Sequence, residues 1–454
     1  MQETFKAACR GCHGGCMYLL TVENGRVVKA MPDPAGPLNH GRGCVKGMSI
    51  IEQMYHPDRL LHPRRRIGPK RSGRWEDISW DEAYDLIATR LQEITARYGR
   101  ESLAIISGTG RHHLSQFWRF GNVLETPNAT SSGALICLGP RKNAGEFTAG
   151  HFAGVDYYGD VRPGGILVWG ANPAISGADG ELSFHIRDAV REGIPLIVVD
   201  PKPNELTRAA KLWLRPRVGT DGALALGILN RIVALNLYDH EFVEGYTYGF
   251  EALRERVARW DPARVSEITR VPEGDITRAA ELIGTIKPLG LEWGCAIEQS
   301  TNAFQTCRAI FMIPALTGNY DVPGGFVESK QIVPTKREPR DPGGKLINSY
   351  PYRQLKPYAN PHQVLDAIRM EYPYKIRAML SFANNTLISL PDSERVYNSL
   401  KDLDFFVCMD VFMTPTAELA DIVLPAAFWP ELDTVFTMPE FAEHTILCQQ
   451  KVAQ

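Results

Sequence analysis

Long apolar runs are missing from this chain: nowhere do about 18 consecutive residues stay hydrophobic enough to span a bilayer, which argues against direct membrane insertion. Residues Met1 to Lys6 carry neither an apolar signal core nor a twin-arginine pair. The expectation is a chain that stays in the cytoplasm, unless a partner carries it across a membrane. Charge of one sign is equally scarce, with 50 Lys and Arg against 52 Asp and Glu and a net charge of −2. That excludes the broad basic field by which nucleic acid is gripped. One locally basic run, Arg64-Arg65-Arg66 to Arg74, reads as a solvated loop. The nine cysteines form no even framework, because Cys137, Cys295, Cys307, Cys408 and Cys448 are scattered, so a disulfide scaffold is not expected. The G-x-G-x-x-G turn of an ordinary dinucleotide fold is absent as well.

What is present begins with Cys9, Cys12, Cys16 and Cys44, spaced C-x2-C-x3-C-x27-C. Thiolates are soft ligands that suit zinc or iron–sulfur clusters, and three cysteines within eight residues need a later segment to complete one centre. The segment Gly41-Arg42-Gly43-Cys44-Val45-Lys46-Gly47 is that return. Structural zinc usually takes two close pairs of ligands, so a 4Fe-4S cluster is the favoured centre and zinc the alternative. Short alternating stretches around Asn24-Gly25 predict a small β-hairpin unit that holds it.

Beyond the basic run, Ser79 caps a helix with apolar residues at Ala83, Leu86, Ile87, Leu91 and Ile94. Apolar strands then alternate with helices: 103–107, 166–169, 196–199, 289–293, 378–382 and 405–409. Each is apolar enough to be buried on both faces, so mainly parallel sheets are expected. An internal repeat runs through them. The segment from Gly165 to Pro173 resembles that from Ala378 to Asn385, and strands ending in Asp200 and Asp410 follow. Ala210, Leu212 and Leu214 are matched by Ala420, Ile422 and Leu424, each 210 residues later. A small polar turn after a buried strand lets backbone N–H groups approach a phosphate, and an acidic residue ending the next strand accepts from a ribose or purine. Two copies predict two equivalent nucleotide sites.

The cysteine spacing, Cys44-x-Lys46-Gly47 and the duplicated units together resemble the molybdopterin oxidoreductases of the dimethyl sulfoxide reductase family. Ile78-Ser79-Trp80-Asp81-Glu82-Ala83, Gly219-Thr220-Asp221 and the run Leu316 to Gly325 extend the likeness over the whole chain. The resemblance implies an α/β fold: a small N-terminal β-rich 4Fe-4S domain (1–60) followed by two related α/β nucleotide-binding domains. One is discontinuous (61–136 and 331–454) and the other spans 137–330; each would bind one guanine dinucleotide. A bis(molybdopterin guanine dinucleotide) would clamp molybdenum or tungsten. By position in the family pattern Cys137 is the metal ligand, and Lys46 lies between cluster and pterin. Gly170, Asn172, Asp200, Gly219, Thr220 and Asp221 would serve one dinucleotide; Asn384, Asp410, Thr414 and Asp421 the other.

Within the family the likeness is strongest to acetylene hydratase-like members, through the cluster spacing, Cys137 before an apolar residue and Gly139, and Phe412-Met413-Thr414-Pro415-Thr416-Ala417. His13 departs from that subgroup, which has an aspartate there. A histidine trades protons near neutral pH, or orients the ligand's surroundings, but does not act as a carboxyl donor. Leu138 departs from the formate dehydrogenases, whose ligand is followed by histidine. The leading expectation is therefore an oxidoreductase with a small-molecule substrate and an electron-transfer protein or subunit as partner. A non-redox hydratase or lyase and a truncated or non-catalytic electron-transfer subunit are the alternatives. By the resemblance, the family's C-terminal β-barrel cap is expected to be missing from this chain, supplied by a separate subunit or lost by truncation, with exposed apolar surface around Trp429, Phe436 and Phe441.

Overall fold

The computed structural model describes residues 2–12, 14–109, 113–133, 137–176, 182–328, 359–437 and 446–453. The first unit is a three-stranded antiparallel meander, Gln2–Ala8, Met17–Glu23 and Arg26–Pro32. Its second turn is Asn24-Gly25, both with positive φ as a tight two-residue hairpin turn requires. Two strands were legible from alternation; the first strand, broken by the cysteine loop, was not.

Two parallel sheets follow, and they share one plan. In the smaller sheet the order is Leu212–Leu214, Leu196–Val199, Gly165–Trp169, Leu289–Trp293. In the larger, the central order is Ile422–Pro425, Phe405–Asp410, Ala378–Phe382, Leu103–Ser107, with Ala129–Ser131 added beyond. The neighbouring strands of each series are parallel. The fourth strand of the smaller unit comes last in its sequence, whereas its counterpart in the larger unit comes first. Gly294 and Gly108 mark the equivalence. Each follows its strand and donates its N–H to the last residue of the neighbour, Trp169 O and Phe382 O, at 3.0 Å. A Cβ would lie 2.3 Å from Gly170 O at one and 2.1 Å from Ala383 O at the other, so neither site admits a side chain.

Both sheets are buried on both faces, as their apolar strands require. In the larger, Ile105, Leu380 and Val407 face one core while Ala104, Met379 and Phe406 face the other. In the smaller, Leu167, Ile197 and Leu291 are opposed to Ile166, Val168 and Val198. The period-two alternation of strands divides each between two cores.

Two expectations need correction. Arg64–Arg66 is not a solvated loop but a strand of the larger sheet, paired antiparallel between the edge strand Trp75–Asp77 and Ile422–Pro425. Its arginines meet carboxylates: Arg64 with Asp77 at 2.9 Å, Arg65 with Glu76 at 2.7 Å, and Arg66 with Asp421. Trp429 is not exposed; it is 4% accessible and packs with Tyr18 in the core of the N-terminal unit. Phe441 and the Phe436 side chain lie outside the described residues. The N-terminal unit is fastened to both sheet units, by Arg42 to Asp188 at 2.6 Å and by a buried two-pronged pair from Arg59 to Glu431 at 2.8 and 2.6 Å. No β-barrel occurs among the described residues, and no described helix is long and apolar enough to cross a membrane.

Candidate functional site

The meander's first connection carries Cys9, Cys12 and Cys16, and the N–H of Cys9 donates to Cys16 O at 2.9 Å to close that loop. Cys44 is brought back by Asn39, whose side chain accepts from Met17 N and donates to Met17 O and Arg42 O. Tyr18, buried beneath, donates to Cys44 O at 3.5 Å. A Cβ on Gly43 or Gly47 would come within 2.5 or 2.3 Å of that hydroxyl, which explains the glycines around Cys44. Gly11 sits between Cys9 Sγ and the Lys46 stem and donates its N–H to Cys9 Sγ at 3.4 Å.

Burial pushes the Cys9 thiol up to about 12, with Cys12 and Cys44 close enough to add to it. Metal coordination offsets such a cost, because a bound cation deprotonates its thiol ligands. Four thiols gathered around Tyr18 are the donor set that an iron–sulfur cluster takes. Among the described residues no three donors converge tightly enough for a single metal ion. His13 lies outside the described residues.

At the carboxyl ends of the smaller sheet, Asn172 follows Trp169, Asp200 follows Val199, and Gly219-Thr220-Asp221 follows Leu214 and opens the helix Asp221–Ala234. Asp221 Oδ1 accepts from the Trp169 indole at 2.9 Å. Gly170 has positive φ, and Asn172 Oδ1 is buried without a hydrogen-bond partner. An orphaned acceptor at a strand end, beside an acidic residue and a helix N-terminus, suits a dinucleotide.

The larger sheet repeats this with differences. Ala383 takes the place of Gly170, with positive φ and its N–H donated to Met409 O. Asn385, rather than Asn384, is the counterpart of Asn172: its carbonyl accepts from Ile388 and Ser389 as that of Asn172 does from Ile175 and Ser176. Asn384 is buried and donates to Thr386 Oγ1 at 2.7 Å. The 213-residue spacing of the two strand ends carried the signal for Asn385.

Asp410 ends its strand, accepting from Val411 N at 2.7 Å and Thr414 Oγ1 at 3.4 Å; burial outweighs these bonds and raises its carboxyl. An open cleft of about 900 Å³ lies beside it, lined by His56, Arg59, Phe412 and Met413 among others. Asp421 is a correction. It precedes the strand Ile422–Pro425, at the end of the sheet opposite Asp410, and its carboxylate accepts from Phe406 N at 2.8 Å and from Arg66. A residue there cannot share a ligand with Asp410.

Cys137 stands where the two sheets meet. Its Cβ is near Gly133, next to Ser131, whose hydroxyl donates to Gly108 O at the carboxyl edge of the larger sheet. Its Sγ is 3.8 Å from Sγ of Cys295, the residue after Gly294 at the matching edge of the smaller sheet. Arg141 and Glu298 lie beneath. Glu298 Oε1 accepts from Arg141 N at 3.0 Å, capping the helix Gly139–Ala149, and Oε2 is 3.1 Å from Arg141 Nε. Burial raises Glu298 to about 7, against the guanidinium. Burial alone would lower Arg141, but the Glu298 carboxylate and the two sulfurs turn the balance upward. Arg141 Nη2 is 3.8 Å from Cys295 Sγ, and Nη1 donates to Trp293 O. Sequence reading left Cys295 among the scattered cysteines, although its place directly after a buried strand was the available signal. Residues 110–112 lie outside the described residues; His113 Nε2 is 3.1 Å from Ser107 Oγ.

The molybdopterin oxidoreductase family model matches residues 59–442, and the molybdopterin oxidoreductase Fe4S4 domain matches 2–56. Acetylene hydratase of Syntrophotalea acetylenica is 30% identical over 94% of this chain and 63% of its own. Formate dehydrogenase H of Escherichia coli is 29% identical, with the same two coverages. The solved acetylene hydratase from Pelobacter acetylenicus superposes with a TM-score of 0.89 at 28% identity, over 99% of this chain and 66% of that one. The chain thus spans about two thirds of the length of these relatives.

Proposed function

Because the chain belongs to the molybdopterin oxidoreductase family and carries its Fe4S4 domain, we propose that it forms the core of a molybdenum- or tungsten-dependent oxidoreductase. In this reading it uses bis(molybdopterin guanine dinucleotide) and passes electrons through a 4Fe-4S cluster. The observation that carries the proposal is the position of Cys137 between the carboxyl edges of two sheets of one plan. A thiolate there could serve as the protein ligand of a metal clamped by two dinucleotides.

Cys9, Cys12, Cys16 and Cys44 hold the cluster. Lys46, whose stem packs against Gly11 of the cysteine loop, is assigned the place between cluster and pterin. Gly170, Asn172, Asp200, Gly219, Thr220 and Asp221 receive one dinucleotide; Asn385, Asp410 and Thr414 receive the other. Cys137 binds the metal through a soft sulfur that donates electron density. His13, next to Cys12 in sequence, is assigned proton exchange by its residue type. When bound, the cofactor supplies two-electron chemistry on a small molecule. The chain's own part is to orient both halves, exclude water at the buried strand ends, and offer one thiolate.

A second reading, a non-redox hydratase, is favoured by the likeness to acetylene hydratase in sequence and fold. Anaerobically purified protein separates the two when analysed for iron, zinc, molybdenum and tungsten and then assayed with and without a redox dye. Iron with molybdenum or tungsten and dye-dependent turnover is the expected result. Dye-independent loss of acetylene would favour the hydratase, iron alone a non-catalytic electron-transfer subunit, and zinc alone would remove the cluster.

A further inference from the structure

Cys137 and Cys295 come from different sheet units, 158 residues apart, yet their sulfurs are 3.8 Å from one another. A disulfide needs about 2.05 Å between sulfurs, so closing the bond takes an approach of about 1.8 Å. Both cysteines are partly accessible, whereas Cys307 and Cys408 are buried. The surroundings hold the pair in place. The Cys137 N–H donates to Gly133 O, Glu298 caps the helix that follows, and Arg141 meets Cys295 with its guanidinium.

We propose that Cys137 and Cys295 are a reversible dithiol–disulfide pair that controls whether the site can accept its metal. The oxidant is a low-molecular-weight disulfide such as oxidised glutathione. One protein sulfur attacks it, breaking its S–S bond, forming a mixed disulfide and releasing one small thiol. The second protein sulfur then attacks the first, expelling the other small thiol and forming the Cys137–Cys295 bond. Two electrons and two protons pass from the cysteine pair to the two released thiols. In the bonded form Cys137 has no thiolate to give; a dithiol reductant restores it, and metal on Cys137 blocks oxidation. This consequence rests on Cys137 being the metal ligand, whereas the sulfur chemistry does not.

The test uses the full chain, purified anaerobically with its iron but without molybdenum or tungsten. After exposure to oxidised glutathione, thiols are trapped with N-ethylmaleimide and peptides are mapped without reduction. The expected product is a linked peptide joining Cys137 to Cys295, reversed by dithiothreitol and absent from metal-loaded protein. In C295S, and in C295A should the serine variant not fold, Cys137 should instead carry glutathione. Wild-type protein showing a stable glutathione adduct on Cys137, or both thiols still free to be alkylated by N-ethylmaleimide, would overturn the pair. Should the link form while C137A retains full molybdenum or tungsten, the pair stands and the ligand assignment falls.

Discussion

At the scale of single residues, the decisive fact is that Cys137 meets a residue 158 positions away, Cys295, across the seam between the sheets. Replacing Cys137 with alanine removes the proposed metal ligand without touching the Cys9, Cys12, Cys16 and Cys44 pocket. C137A is therefore expected to keep its iron and lose turnover at least about 100-fold, as loss of a metal-site group commonly does; metal analysis and a dye-linked assay check both. Arg141 and Glu298 form a pair whose side chains are 12% and 0% exposed. Truncating one partner strands the other in the interior, so R141M is expected to destabilise by roughly 3–5 kcal/mol. R141M/E298M should recover much of that, and denaturant unfolding of the variants measures the difference.

At the scale of elements, the strand-end glycines support the duplication best. A methyl at residue 108 or 294 collides with the backbone carbonyl of the adjoining strand, which cannot turn aside as a side chain can. G108A and G294A should each destabilise by roughly 1–3 kcal/mol, the usual cost of overpacking. Each should also loosen its own sheet edge while sparing the other, visible as faster amide exchange beyond residue 378 for G108A and beyond residue 165 for G294A. Equal exchange at both edges in both variants would contradict independent units. The Asn172 and Asn385 turns differ in another way: Asn385 Oδ1 is occupied by the Thr416 hydroxyl at 2.7 Å, whereas Asn172 Oδ1 has no partner. The two sites are alike in backbone and unlike in readiness.

At the scale of the whole molecule, the seam between the N-terminal unit and the smaller sheet unit contains a pH-sensitive group. His185 is stacked on Tyr157 at 5.4 Å, near the Arg42–Asp188 bridge; burial, and then the Arg42 charge, lower its pKa to about 4. Unfolded, it titrates near 6.5. Above that value both states are neutral and the native state keeps its full advantage. As pH falls from 6.5 towards 4 the unfolded chain takes up a proton that the folded chain refuses, so stability is lost by at most roughly 3 kcal/mol. H185F should flatten that acid limb, which chemical denaturation between pH 7 and pH 4 will read; an unchanged slope would mean another group governs it.

The cluster pocket was legible because its ligands lie within one short unit, where spacing along the chain limits distance in space. The strands were legible because burial on both faces demands unbroken apolar runs, and the repeat because two copies kept their spacing. Asp421 misled because a matched position in sequence does not reveal which end of a strand it occupies. Arg64–Arg66 misled because the carboxylates that neutralise it arrive on other strands. By itself the sequence determined the thiol set, the parallel sheets and the duplication. Only the tertiary structure decided that Leu103–Ser107 completes the second copy and that Cys295 faces Cys137. Those facts depend on contacts between segments more than 150 residues apart, made when sheet edges pack together, and no local pattern encodes them.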